Sequence, residues 1–307
     1  MEPFAGVQLG TVLPHRSPEH IDQATVVRAA ARAEALGFTD LWVTENNLDP
    51  AFSFEPMMLL AHAAAVTTTI KLGVAVMVLP VQQPARLAHQ GATLDQLSNG
   101  RALLAVGIGR DHHYHEFEIP VARRVTRFRE GLEVVRGLWR EPVFTYDGEF
   151  YRLKDAEMAI KPQQAGGVSI WIGAGHPDGV RRSAKLGDGW MGAGSHPTNV
   201  FVEGVKILRD ALEEQGRDVA SYPISKRVFI VFDDNRSRAR ERMRHWFDRV
   251  YRAPDLTDSA GVFGSVAEVR EQLAGIVAAG ANHLVINPVD DFEAQLELSA
   301  EAVGLSA

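Results

Sequence analysis

Glu45, Asn46 and Asn47 follow directly on Leu41-Trp42-Val43-Thr44, so a short apolar run ends in a carboxylate and two amides. A carboxylate in that position can exchange a proton or bind a polar ligand; the plain structural alternative is an ion pair beneath a loop. An amide orients and hydrogen-bonds but is no base near neutral pH. Imidazoles, which titrate near neutrality, stand at His15 and in His112-His113-Tyr114-His115. Their spacing matches no helical i, i+4 ligand pair and no second ligand cluster accompanies them, so no metal site is assigned. Gly173-Ala174-Gly175-His176, continuing to Gly179, opens a predicted helix with Arg181 and Arg182 on it. Backbone N–H groups there can approach a phosphate, although the same glycines serve equally for a tight turn. Gly107-Ile108-Gly109 lacks the third glycine of a dinucleotide fingerprint, and Glu130 alone does not restore it. There is no Gly-x-Ser-x-Gly elbow, and Ser195-His196 has no evident third partner.

The elements that must position these residues alternate. Short apolar runs are predicted as strands at Ala5 to Val12, Leu41 to Val43, Ile70 to Leu79, Ala102 to Val106, Ile170 to Ile172, Gly189 to Met191, Ser225 to Phe232 and His283 to Asn287. Amphipathic stretches between them are predicted as helices at His20 to Leu36, Pro56 to Thr67, Pro84 to Leu97, Arg123 to Trp139, Asp178 to Leu186, Val200 to Gln215, Arg236 to Arg249 and Val266 to Ala279. Alternation of this kind argues for βαβ units and a parallel sheet. Eight strands spread over the whole chain favour closure into a (β/α)8 TIM barrel over a doubly wound sheet. Tyr146-Asp147-Gly148-Glu149 lies between two β-rich runs and predicts a small inserted β-hairpin. No composition break marks a linker, so residues 1–307 are expected to form a single domain. In such a barrel the strand C-termini carry the active site, and every candidate named above follows a predicted strand. Trp42, Trp171 and Trp190 lie in or beside strands and are expected to pack the core.

The chain has 307 residues, 46% of them hydrophobic and 23% charged, which is an ordinary globular composition. A net charge of −7 without a basic run argues against nucleic acid as a partner. No cysteine is present, which removes disulfides, thiolate metal sites and thiol nucleophiles. The N-terminus lacks the basic and apolar regions of a signal peptide, and no apolar run approaches the roughly 18 residues of a membrane span. A cytoplasmic protein acting on a small molecule is expected.

Ala33-Glu34-Ala35-Leu36-Gly37-Phe38 with Leu41-Trp42-Val43-Thr44-Glu45 resembles the opening of the bacterial-luciferase-like oxidoreductases. The resemblance continues in order through Ile70-Lys71-Leu72-Gly73, Ala92 to Arg101, Gly107-Ile108-Gly109, Gly148 to Tyr151, Lys161-Pro162-Gln163, Ile170 to Gly173 and Leu186 to Trp190. It implies a (β/α)8 barrel with an isoalloxazine-like ring across the strand ends, carried by FMN or by the deazaflavin coenzyme F420. The overall pattern looks most like the actinobacterial deazaflavin branch. That branch implies a bulge with a non-proline cis bond in the third strand, by position Ala75–Val76, supporting the ring. It further implies a phosphate anchor on the turn Gly173 to Gly179 (including Ala174, Gly175 and His176), with Gly107, Ile108 and Gly109 near the ring's rim. Homodimers are common in the branch, and a separate reductase can supply reduced cofactor.

Many relatives carry a histidine where this chain has Asn46. The resemblance therefore implies a reductase, or a site taking its proton from His112, His113 or His15, with Glu45 at the ring's rim or carrying a proton. Arg110, Arg123, Arg124 and Arg181 are candidates for the cofactor's polyanionic tail. The expected reaction moves hydride between the deazaflavin and a carbonyl, imine or activated alkene. The alternatives are an FMN-dependent monooxygenase using O2 and a redox-silent flavin-binding barrel; a hydrolase lacks a nucleophile or metal set. Substrate choice is expected in the loops around His15, Asn47 to Phe54, His112 to Glu118 and Ser195 to Asn199.

Overall fold

A computed structural model describes residues 3–306. Eight parallel strands follow one another around a ring: β1 (Gln8–Val12), β2 (Asp40–Val43), β3 (Lys71–Val78), β4 (Ala102–Gly107), β5 (Ser169–Gly173), β6 (Gly189–Gly192), β7 (Ile224–Phe232) and β8 (His283–Pro288). Each pairs with the next, and β8 pairs with β1, so the sheet closes as a (β/α)8 barrel. The expected strands are all present. β1 begins three residues later than expected because Gly6, at φ 77°, turns the chain, and Val7 N–H donates to Phe4 O. The predicted hairpin is formed by Phe144–Asp147 and Arg152–Ala156.

Helices α1 (Gln23–Ala35), α2 (Pro56–Ala64) and α3 (Pro84–Leu97) lie outside the ring. Each starts where a side chain accepts a backbone N–H of the first turn: Asp22, Glu55 and Gln83 respectively. Next come α4 (Asp111–Glu116), α5 (Arg124–Arg140), α6 (Pro177–Leu186) and α7 (Thr198–Glu214). The His112-His113-Tyr114-His115 run, read as a loop, is thus a short helix; Tyr114 is buried and its hydroxyl donates to Ile108 O at 2.6 Å.

The connection between β7 and β8 is an elaboration. It holds α8 (Arg236–Trp246), a π-helical turn at Phe247–Tyr251, α9 (Leu256–Ala260), a ninth parallel strand at Gly261–Gly264 and α10 (Val266–Ala278). The ninth strand pairs with Phe229–Phe232 of β7, so the end of β7 outgrows the ring. Phe229, Trp246, Phe247 and Val250 make a separate apolar cluster there. α11 (Phe292–Val303) follows β8 and completes the outer layer. Two of the eight predicted helices fall in the β7–β8 connection, and α11 had not been predicted.

The barrel interior is filled by alternate strand residues, including Val12, Trp42, Ala75, Ala105, Trp171, Met191 and Val285. Trp190 points outward and stacks on Phe201. A packed interior leaves the strand C-termini as the place for a ligand. Among the described residues, no helix is long and apolar enough to cross a membrane.

Candidate active site

The β2, β3 and β4 ends form one continuous unit. Glu45 is 7% exposed and its carboxylate receives the Val78 N–H at 2.7 Å, Gln82 Nε2 at 2.5 Å and Asn47 Nδ2 at 3.0 Å. Burial pushes its pKa above the ordinary carboxylate range, and these donors only partly offset that. Val78 packs beneath Gly109, which has φ 74° and leaves room for it. A Cβ at Gly109 would stand 3.4 Å from His113 Nδ1. That nitrogen lies 3.0 Å from the Arg110 amide nitrogen and 3.2 Å from the Arg110 carbonyl oxygen, contacts that suit either tautomer, while Nε2 has no partner among the described residues. Burial first, then the neighbouring His112, holds the His113 pKa below normal. His112 is exposed, its ring centroid 3.9 Å from that of His113.

The Ala75–Val76 bond is cis, as the resemblance implied, and the β3–β4 register shifts between Ala75 and Met77. Val76 is the one residue after Lys71 in β3 that is not buried. Its side chain lies across the ends of β4 and β5. A Cβ on Gly107 would come within 2.9 Å of Val76 Cγ2, and one on Gly173 within 2.5 Å of Val76 Cγ1. Glycine at both positions therefore lets Val76 form a floor over β4 and β5. Ile108, next to Gly107 in sequence, is half-buried and packs on the main core.

Beyond that floor lies the turn into α6. Trp190 Nε1 donates to Ala174 O at 2.9 Å, which holds the start of the turn. The amides of Gly175 and His176 have no acceptor among the described residues. His176 caps α6, its Nδ1 accepting the Asp178 N–H at 3.3 Å, and its ring is exposed. Gly179 packs on Ala174, and a Cβ there would stand 3.9 Å from Arg182 Nη1. Arg182 is half-buried without a hydrogen-bond or ion-pair partner among the described residues, and burial pulls its pKa down. Two free amides at a helix N-terminus beside an unpaired guanidinium can hold an anion. Arg123, Arg124 and Arg181 are paired with Glu149, Asp111 and Glu214 instead; Arg110 is exposed.

The His196 ring covers Gly175 so closely that a side chain there would have to displace it. Lys226, 3% exposed on β7, ties this loop down: its Nζ donates to Ala193 O at 2.6 Å and His196 O at 2.8 Å. Burial brings the Lys226 pKa down to about 7. Sequence reading passed over Lys226 and Arg227, although a pair of cations inside an otherwise apolar strand was a visible signal.

On the β1–β2 side, His15 is buried. Leu13 O can only accept, so His15 Nδ1 (2.8 Å away) carries the proton. Nε2 then accepts from the Thr44 hydroxyl at 2.7 Å, and Thr44 Oγ1 accepts from Asn46 Nδ2 at 2.6 Å. Burial lowers the His15 pKa to about 4, so the ring is neutral with both nitrogens engaged. Deeper in the barrel, His283 Nε2 meets Asp40 Oδ1 at 2.9 Å, and its Nδ1 meets Ser225 Oγ at 2.7 Å. All three are at most 1% exposed, which makes this constellation part of the interior and no triad open to a substrate. Among the described residues, no three His, Cys, Asp or Glu side chains are grouped to hold a metal ion.

The strand ends thus gather Glu45, His113, Val76, Gly107, Gly109 and the α6 turn on one half of the mouth, with His15 and Asn46 on the other. An arrangement of this kind at the strand C-termini is where enzymes of the (β/α)8 class do their chemistry. The family model for luciferase-like monooxygenase matches residues 7–281, and the chain belongs to that family. It is 28% identical over 246 residues to the F420-dependent glucose-6-phosphate dehydrogenase of Kineococcus radiotolerans, covering 75% of this chain and 70% of that one. It is 31% identical over 213 residues to the 5,10-methylenetetrahydromethanopterin reductase of Archaeoglobus fulgidus, covering 69% of this chain and 61% of that one. An F420-dependent secondary alcohol dehydrogenase, solved with an F420–acetone adduct, superposes with a TM-score of 0.84 at 20% identity over 97% of this chain and 99% of that one, a likeness of fold. The protein is an oxidoreductase of the luciferase-like family.

Proposed function

We propose that the protein holds the deazaflavin coenzyme F420 at the β3–β5 ends and transfers hydride between it and a small organic substrate. The observation that carries this reading is the Val76 floor over Gly107 and Gly173, running into a turn with two free amides and the unpaired Arg182. A flat ring could rest on the floor while its phosphate meets the turn. The relatives named as F420-dependent support the choice of cofactor. When bound, the coenzyme supplies or accepts hydride; that chemistry is its own.

The chain's residues do the rest. Glu45 anchors the β3 end through the Val78 amide and fixes the height of the floor. His113, whose Nε2 has no partner among the described residues, is our candidate proton donor to the product oxygen, nitrogen or carbon. His15 has no proton to release without breaking its bond to Leu13, and serves through Thr44 to orient the Asn46 amide. Asn46 binds and does not act as a base, which supports the reductive direction.

The test is to mix reduced F420 with the protein and panels of ketones, imines and activated alkenes, following recovery of the oxidised coenzyme's absorbance without O2. Turnover with one class, at least about tenfold faster than without protein, is expected. Turnover only with reduced FMN and O2 would replace this reading with the monooxygenase, and no turnover in any panel with either cofactor would refute hydride transfer.

A further inference from the structure

A second feature of the mouth lies opposite the α6 turn. Where the ends of β1, β7 and β8 meet the β7–β8 elaboration there is a cavity of about 220 Å3, lined among others by His15, Arg16, Arg227, Trp246, Tyr251 and Asn287. Arg227 Nη2 donates to the Tyr251 hydroxyl at 2.6 Å, and its guanidinium lies 4.7 Å from the centroid of the Phe229 ring. Among the described residues no carboxylate pairs with it. The other charges of the cavity are accounted for. Arg16 is paired with Asp49 and lies over the Tyr251 ring, while His15 is neutral. Asp290 is held by Arg242 through two bonds of 2.7 Å. Asp22 and Asp291 are exposed at the rim, and Asp22 caps α1.

The deep end therefore carries one uncompensated positive charge, largely withdrawn from water and walled by aromatic rings. A cation so placed is unfavourable unless an anion completes it. A guanidinium fork suits a carboxylate in particular. Tyr251 adds a donor: its oxygen already accepts from Arg227, so its own proton is available to the incoming oxygen.

We infer that this cavity is the recognition subsite for the carboxylate of an organic acid, held by Arg227 and Tyr251 with its apolar body against Trp246. This names the substrate class and rests on the reading that the mouth houses a hydride-transfer cofactor. The charged end of the substrate is then anchored on the β7–β8 side, and its reacting carbon faces the mouth.

The experiment is calorimetric titration of the full chain, with and without F420, using benzoate and its uncharged analogue benzamide. Benzoate is expected to bind at least about tenfold more tightly than benzamide. Arg227→Met removes that preference while leaving benzamide within about twofold. Arg227→Lys keeps the charge without the fork and falls between, and Tyr251→Phe weakens benzoate about threefold to tenfold. These two variants carry the test if Arg227→Met does not fold.

Benzoate binding no better than benzamide, no benzoate binding at all, or a preference untouched by all folded variants would overturn the inference. F420 titrated into the same proteins separates the two readings. Retained F420 binding without the carboxylate preference sinks only the subsite, whereas the preference without F420 binding sinks only the cofactor assignment.

Discussion

Adding a single methyl group at Gly173 should disturb the floor on which the functional reading depends. The new Cβ would lie 2.5 Å from Val76 Cγ1 and 3.6 Å from Val76 Cβ. Carbon atoms in good contact sit about 3.5–4.0 Å apart, so roughly 1 Å must be yielded by a β-branched side chain that is stiff about χ1. Overpacking of this kind costs about 1–3 kcal/mol, and we place Gly173→Ala near ~2 kcal/mol. Gly107→Ala, with its closest contact at 2.9 Å, should cost less, near ~1 kcal/mol. In a Val76→Ala background the clashing Cγ1 is gone, and the Gly173→Ala penalty should shrink to about 0.5 kcal/mol or below. Urea unfolding of the four proteins of this cycle measures the coupling, and F420 titration of the same set should show Gly173→Ala binding about tenfold more weakly. Equal stability of Gly173→Ala and the parent, or a penalty unchanged by Val76→Ala, would refute the packing described for the floor.

Three further outcomes follow from the site's polar contacts. His15 titrates near 4 when folded against 6.5 as a free side chain, so the unfolded chain binds the proton more readily; stability from this group is complete above pH 6.5 and falls by up to ~3 kcal/mol as the pH drops to about 4. Urea midpoints between pH 7 and 4 should fall more for the parent than for His15→Leu, and parallel curves would contradict the buried neutral ring. Glu45→Ala leaves the Val78 N–H without its acceptor and should cost about 1–3 kcal/mol, together with weaker F420 binding in titration; Glu45→Gln, which keeps an acceptor oxygen, should lose less. Lys226→Met strips two carbonyls of their donor, and should lower stability by about 1–3 kcal/mol while raising proteolysis within Ala193 to His196, with Lys226→Arg restoring part of both.

The ring of strands could be read because parallel barrel strands are nearly continuous apolar runs separated by helices of ordinary length. Gly261–Gly264 escaped because four residues bounded by glycines carry too little periodicity, and α11 because Phe292–Val303 alternates acidic and apolar residues without an N-terminal side-chain cap. Glu45, His15 and the Gly173 turn were legible as polar or glycine residues directly after apolar runs. The cis bond at Ala75–Val76 was legible only through the family resemblance, since nothing in Ala-Val itself requires it. Thr44, Arg227 and Tyr251 were not singled out, because their meaning comes from partners far along the chain. Asp40, Ser225 and His283 show this most clearly: they meet inside the barrel from three separate strands.

Equilibrium titration of the cofactor-free protein with F420 and with FMN, read by fluorescence quenching, tests the central claim most directly. The account predicts F420 binding at micromolar concentration or below, with FMN at least about tenfold weaker, and a loss of F420 affinity in Arg182→Met. Preferential binding of FMN, or binding of neither cofactor, would contradict it.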